Sequence, residues 1–190
     1  MIRDLILKNR SYRRFNAAVK ISDQQALAWI DLARFSASGR NAQPLKYTLV
    51  TQEEKCDEIF PHLAWAGYLA DWDGPAPDER PVAYVLVLKD HRISEKHYCD
   101  DGLAMQNILL GAVEDGYGGC ILGAINRKKV AELAGLDENL EILWIIALGK
   151  PAEDVVIETA EGDIKYWRDE QDIHHVPKRS LEDILVKIKD

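Results

Sequence analysis

The chain is short of cysteine, has no long apolar run and carries no surplus of positive charge, and each shortage removes a class of protein. Its three cysteines, Cys56, Cys99 and Cys120, are widely separated and show no C-x-x-C spacing. A disulfide framework is not written here, and structural thiols in a reducing compartment are expected. The longest apolar stretches, Val82 to Leu88 and Ile142 to Leu148, fall far short of the roughly 20 residues that cross a bilayer. The opening Met1-Ile2-Arg3-Asp4-Leu5 puts charges where an export signal carries its apolar core, so a cytoplasmic protein is expected. With 24 Lys+Arg against 32 Asp+Glu the formal net charge is −8, and a field of that sign repels phosphate backbones. Neither nucleic acid nor membrane is an expected partner, and any anion site has to be local. No fixed-period repeat or low-complexity tract occurs in the 190 residues, of which 47% are hydrophobic and 29% charged. That composition predicts one globular domain over residues 1–190.

The usual catalytic signatures are missing as well. There is no G-x-x-x-x-G-K-[ST], no G-x-S-x-G and no H-E-x-x-H. Gly116-Tyr117-Gly118-Gly119 follows a helical pattern, the reverse of the strand-then-glycine order of a dinucleotide fingerprint, and reads as a helix C-cap with a tight turn. His174 and His175 are neighbours whose side chains leave an extended backbone on opposite sides. His91 and His97 stand in a polar loop and read as solvated. Neither a metal site nor a protein nucleophile or acid/base pair is predicted.

What is present is a mixture of helix and strand patterns. Ile2 to Lys8 predicts a helix with Ile2, Leu5 and Ile6 on one side. Ser22 with Gln25 three residues on is a capping box for a second helix, whose apolar stripe is Ala26, Leu27, Ile30 and Ala33. Tyr47 to Val50 predicts a strand, and Thr51-Gln52-Glu53-Glu54 a further capping box opening a helix toward Phe60. Val82 to Leu88 and Ile142 to Leu148 suit strands buried on both faces. Cys120 to Ile125 predicts another strand, and Asn126 a cap for a helix ending at Gly135. Asp100 to Glu114 is apolar or small nearly all the way round, which predicts a helix buried on most sides and, in a chain of this size, a second copy of the chain as one of its covers. Beyond Pro151 the pattern predicts a long irregular arm before a terminal helix that opens at Ser180 with Asp183 and carries Leu181, Ile184, Leu185 and Ile188. The absence of regular βαβ alternation favours the α+β class, a sheet with helices packed on it.

One anomaly remains in this acidic chain. Arg10, Arg13 and Arg14 cluster near the start and Lys178 and Arg179 near the end, each group beside a hydroxyl, Ser11 or Ser180. Guanidinium and ammonium groups with hydroxyls are the chemistry a phosphate selects, while solvated helix-edge charge is the alternative.

Asn9-Arg10-Ser11-Tyr12-Arg13-Arg14-Phe15 resembles the R-S-x-R-x-F motif that opens the nitroreductase family of flavoproteins, and Ala37-Ser38-Gly39-Arg40-Asn41-Ala42-Gln43-Pro44-Leu45 resembles that family's P-S-x-x-N-x-Q-P-W loop. Asp101 to Asn107 followed by Gly116 to Gly123 is similar to the family's buried helix and glycine turn, Ala147-Leu148-Gly149-Lys150-Pro151 to its strand end, and Tyr166 to Leu181 to the basic tail of one bacterial branch. The resemblance implies a nitroreductase-like α+β fold with a central, mostly antiparallel sheet flanked by helices, and a homodimer with FMN at the subunit interface. It further implies that Arg10, Ser11 and Arg13 contact FMN, that Lys178 and Arg179 hold its phosphate, that Ser38, Asn41 and Gln43 lie near the isoalloxazine and ribityl chain, and that Gly118 and Gly119 let backbone approach the cofactor. Ala37 and Leu45 depart from the family's proline and tryptophan, which puts loop rigidity and ring packing there in question. Trp65, Tyr68 and Trp72 fall near helical spacing and either roof the flavin or pack in the core.

The implied activity is ping-pong transfer of hydride from NADH or NADPH through flavin N5 to a small-molecule acceptor, a nitroaromatic, a quinone or similar. Three alternatives stay open: a flavin-dependent dehalogenation, dehydrogenation or flavin fragmentation on one metabolite; flavin binding or storage without turnover; and a cofactor-free dimeric interaction protein.

Overall fold

A computed structural model describes residues 1–186, so Ile188, assigned to the terminal helix from its spacing, lies outside the described residues. The architecture is organised by two buried strands, β2 (Ala83–Asp90) and β4 (Leu140–Gly149), which pair antiparallel at the centre of a four-stranded sheet. β1 (Leu45–Val50) flanks β2 and β3 (Gly118–Leu122) flanks β4, both antiparallel, giving the order β1-β2-β4-β3. Every residue of β2 is buried, as its unbroken apolar run requires when both sheet faces are covered. Val85, Val87, Ile146 and Leu148 point into one apolar layer, beneath helices α2 (Asp23–Ala33) and α4 (Asp100–Glu114). Tyr84, Leu86, Ile145 and Ala147 point into the other, beneath α3 (Glu53–Ile59) and α5 (Arg127–Leu133). A helix α1 (Ile2–Lys8) precedes them and packs alongside α4. No described helix is long and apolar enough to cross a membrane.

Local chemistry accounts for most boundaries. Ser22 and Gln25 form the reciprocal capping box of α2, and Asn126 accepts the Lys129 N–H at the start of α5. Gly135, at φ 61°, ends α5 in the left-handed region that glycine enters without penalty. α4 spans the expected residues and is buried on most sides, yet Leu103 is 43% exposed and Gln106 also faces outward.

The structure corrects several expectations. In α2 the inward stripe is Ala26, Trp29 and Ala33, with Leu27 left 55% exposed. Trp29 wins the inward position because its indole N–H reaches Asp115 Oδ2 at 2.7 Å and its ring lies over Gly111 of α4, where a Cβ would come within 2.6 Å of Leu32 and 3.3 Å of Trp29. α3 is capped by Gln52 without a side-chain bond, because the Thr51 hydroxyl donates to Asp23 Oδ1 at 2.6 Å. β3 begins at Gly118, two residues ahead of the expected start, and Ile125 makes only an isolated bridge to Leu63. The residues from Trp65 to Trp72 form turns with Ala66 at φ 38°. Trp65 is core, packed on Phe60, whereas Tyr68 is exposed. His91 sits between Glu95 at 3.0 Å and Glu141 at 3.1 Å and is not a free solvated group.

The largest correction concerns the arm after Pro151. It folds as a second sheet of order β5-β7-β6, in which β5 (Val155–Thr159) runs parallel and β6 (Trp167–Arg168) antiparallel to β7 (His174–Lys178). Its strands are short and polar, and Pro177 interrupts the central one, so neither alternation nor β-branched runs announce it. The following helix α6 (Leu181–Ile184) is a single turn, capped by Ser180 and Asp183 as expected, but Leu181, Ile184 and Leu185 are exposed.

Candidate functional site

Residues 9–15 cross the open edge of β3 and are fastened from both sides. The Tyr12 N–H donates to the Gly119 carbonyl at 3.1 Å, Ser11 bridges Gly119, and Phe15 is fully buried against Gly149. Glu153, whose side chain is 2% exposed, accepts the backbone N–H of Arg13, that of Arg14 at 3.1 Å, and Arg168 Nη2 at 2.9 Å. The R-S-Y-R-R-F segment is thus tied to the second sheet through one carboxylate.

Between this segment and β7 lies a cavity of about 350 Å³ whose walls include Arg10, Ser11, Arg13, Gly119 and Lys178, all singled out from the sequence. Gln106 of α4, Tyr166 and His174 also line it. Arg10 Nη2 donates to the Ile6 carbonyl at 2.8 Å, and burial holds its guanidinium below its ordinary pKa. Burial likewise raises the Tyr12 phenol. Arg13 Nη1 donates to the Ser11 carbonyl at 3.2 Å and faces His174 Nε2 at 3.2 Å, and its guanidinium lies 4.8 Å from the Tyr166 ring centroid. Burial first, and then the positive Arg13, push His174 down to about 4. Among the described residues, Arg10 Nε, Arg13 Nε and His174 Nδ1 are buried without a hydrogen-bond partner. A cavity with cationic walls and orphaned N–H groups suits an anionic ligand with acceptor oxygens.

Gly118, Arg179, Ser38, Asn41 and Gln43 lie outside that lining. Gly118 is covered by Tyr12, and its missing Cβ accommodates that ring at 2.6 Å, while at Gly119 a Cβ would meet the Ala147 carbonyl at 2.5 Å. Both glycines are therefore required by packing inside the chain. Arg179 follows β7, exposed and outside the cavity lining. Ser38 and Gln43 line a separate recess of about 220 Å³ with Leu45, Tyr47 and Asp100. There the Ser38 hydroxyl donates to Asp100 Oδ2 at 2.6 Å and accepts the Gln43 N–H at 2.9 Å, and the Gly39 N–H donates to Asp100 Oδ1 at 3.0 Å. Asn41 does not line it, but Arg40, Asn41 and Gln43 all hold positive φ of 56°, 54° and 51°, a strain that persists only where the surroundings impose it. Burial pushes Tyr47 up to about 12. Helix α4 gives Asp100 and Ala104 to this recess and Gln106 and Leu109 to the first cavity, so within one chain the two groups stand at different points along one helix.

Sequence reasoning missed His174, Glu153, Arg168 and Asp100. His174 was visible only as half of a histidine pair, and Glu153 acts mainly through backbone N–H partners that leave no sequence trace. The sequence profile of the nitroreductase family matches residues 6–150.

The chain belongs to the nitroreductase family. It is 29% identical over 166 residues to the NADPH-flavin oxidoreductase of Vibrio harveyi, covering 80% of this chain and 66% of that protein. The crystal structure of a nitroreductase family protein from Clostridium novyi NT superposes with a TM-score of 0.65 at 24% identity, over 80% of this chain and 86% of that one. A nitroreductase family protein from Streptococcus pneumoniae TIGR4 gives 0.67 at 16% identity, over 99% of this chain and 100% of that one, so the nitroreductase α+β fold extends through the second sheet.

Proposed function

We propose that this nitroreductase-family chain is an FMN-dependent oxidoreductase, a single domain that works as a homodimer and passes reducing equivalents from NADH or NADPH to nitroaromatic, quinone or similar small acceptors. The observation that carries the reading is the cavity where Arg10, Arg13 and Lys178 converge with buried, unpartnered N–H groups in a chain of net charge −8. When bound, FMN supplies reversible two-electron chemistry, with hydride exchanged at its N5. The chain's own residues bind and orient. Arg10, Arg13 and Lys178 neutralise a phosphate, and Ser11, locked to Gly119, fixes the arm from which the arginines project. The loop of Ser38, Asn41 and Gln43, held by the Ser38 hydroxyl on Asp100 and the Gln43 N–H on Ser38, would stand at the polar edge of the ring system and offer it the Asn41 side-chain amide.

The two recesses are separate in one chain, and a twofold partner brings the Ser38 loop of one copy toward the arginine cavity of the other. Leu103 on α4, Leu27, Leu32 and Phe35 in and after α2, and Ile6 and Leu7 on α1 are exposed apolar residues of the kind that mark an interface. Free thiols at Cys56, Cys99 and Cys120 fit a reducing cytoplasm.

The purified protein is expected to be yellow and to bleach under anaerobic NADH or NADPH, with colour restored by a quinone or nitroaromatic. Colour that persists under both reductants identifies a storage protein, and failure to retain or bind added FMN removes the proposal. Arg13→Ala and Lys178→Ala are each expected to weaken FMN binding roughly ten- to a hundredfold in equilibrium titration of apo-protein, the cost of a lost charged hydrogen bond. Unchanged affinity in both removes the site assignment.

A further inference from the structure

His174 opens β7 with its backbone N–H donating to the Asp154 carbonyl at 2.8 Å and its side chain only 1% exposed. One face of its ring is tilted against Tyr166, centroid to centroid 5.2 Å. Its Nε2 faces Arg13 Nη1 at 3.2 Å. A guanidinium has only donors, so Nε2 must accept, and the neutral imidazole then carries its proton on Nδ1. His174 lines the arginine cavity, and its Nδ1 is buried and without a partner among the described residues. Burial first, and then the cationic Arg13 and Arg168, oppose a second proton on the ring, so the group stays neutral.

We propose that His174 is a further cofactor-binding residue, which holds Arg13 through Nε2 and donates Nδ1–H to an acceptor oxygen of the bound flavin nucleotide. The inference rests on the FMN reading above. The acceptor oxygen belongs either to the phosphate or to a carbonyl of the flavin ring, and binding of FMN and of riboflavin tells the two apart.

Apo-protein is titrated with each flavin in wild type, His174→Gln, His174→Asn and His174→Phe, with the fold of each checked by near-ultraviolet circular dichroism. Gln places an acceptor near the Nε2 position and no donor at Nδ1, Asn places an amide N–H near Nδ1, and Phe keeps the contact with Tyr166 alone. The expected result is a loss of about tenfold or more in FMN affinity for Gln and Phe, with Asn within about threefold of wild type. Loss confined to FMN assigns the phosphate, and equal loss for riboflavin assigns a ring carbonyl. If all three variants bind like wild type, or if Gln binds like wild type while Asn does not, His174 donates nothing to the cofactor and the inference fails. Wild type that binds no FMN overturns the proposed function as well, an outcome told apart by that one titration. Should the variants not fold, the imidazole ¹⁵N spectra of wild-type apo-protein and FMN complex decide. An Nδ1 resonance of His174 that moves between apo-protein and FMN complex supports the proposal, and an Nδ1 resonance that stays in place, or a proton on Nε2 instead, overturns it.

Discussion

Glu153 is held by three N–H groups, two from the backbone of the arginine segment and one from Arg168. Its removal leaves the nearly buried Arg168 guanidinium without its anion, so Glu153→Ala is expected to lower stability by about 3 kcal/mol, read as the urea midpoint. Arg13 then loses the anchor of its own backbone, and FMN affinity is expected to fall in the same variant. Glu153→Ala that unfolds at the wild-type urea concentration removes the clamp from this account. At this scale the sequence was partly legible. Arg10, Ser11, Arg13 and Lys178 stood out as clustered cations in an acidic chain and do line one cavity. Glu153 and Asp100 did not stand out, because one carboxylate among 32 Asp and Glu residues carries no mark of the N–H groups that surround it.

Within β7, adjacent histidines respond to pH in opposite directions. Hydrogen bonds that the ring donates to the Asp169 and Glu158 carboxylates, at 3.2 Å each, raise His175 above its ordinary value. Its contribution to stability is present in full below about 6.5 and is lost as pH rises through the elevated folded value. His174, pushed down to about 4, works the other way, with its contribution full above about 6.5 and lost as pH falls toward 4. Protection of the second-sheet amides from hydrogen exchange is therefore expected to peak between pH 6 and 7, roughly where both contributions survive. His175→Gln should flatten the alkaline limb and His174→Gln the acid limb, and a monotonic wild-type profile excludes the opposed pair. In β3, Gly119→Ala drives a Cβ against the Ala147 carbonyl and is expected to cost about 2 kcal/mol or more in thermal unfolding. Helices with intact caps and strands buried on both faces were readable as elements. The second sheet was not, since its pairing is held by backbone ladders in polar stretches and by the stack of Trp167 on His175, whose centroids are 4.2 Å apart.

At the scale of the whole molecule, the exposed line of Leu103 and Gln106 on α4 links the proposed dimer to the proposed cofactor, because the same helix serves both recesses. Leu103→Glu is expected to shift sedimentation from dimer to monomer and to release FMN in the same step. A monomer that keeps FMN at wild-type affinity separates the two properties and returns the whole site to one chain. The fold class was legible from helix and strand patterns that mix without regular βαβ alternation, and the covering of α4 only in part, because a chain viewed alone does not say what lies on its last open face.

Arg13 and His174 meet at 3.2 Å although 161 positions separate them. A ribosome adding about 5–20 residues per second therefore makes the two walls of this cavity roughly ten to thirty seconds apart. The first wall, on residues 9–15, can dock once β3 and β4 have been made, roughly one to five seconds before His174 is added, and until β7 emerges it faces solvent with its guanidinium groups uncovered. On the proposed site, a flavin nucleotide is thus captured only after nearly the whole chain has been made. A nascent protein released early from translation, short of residue 174, should carry the first sheet and no colour.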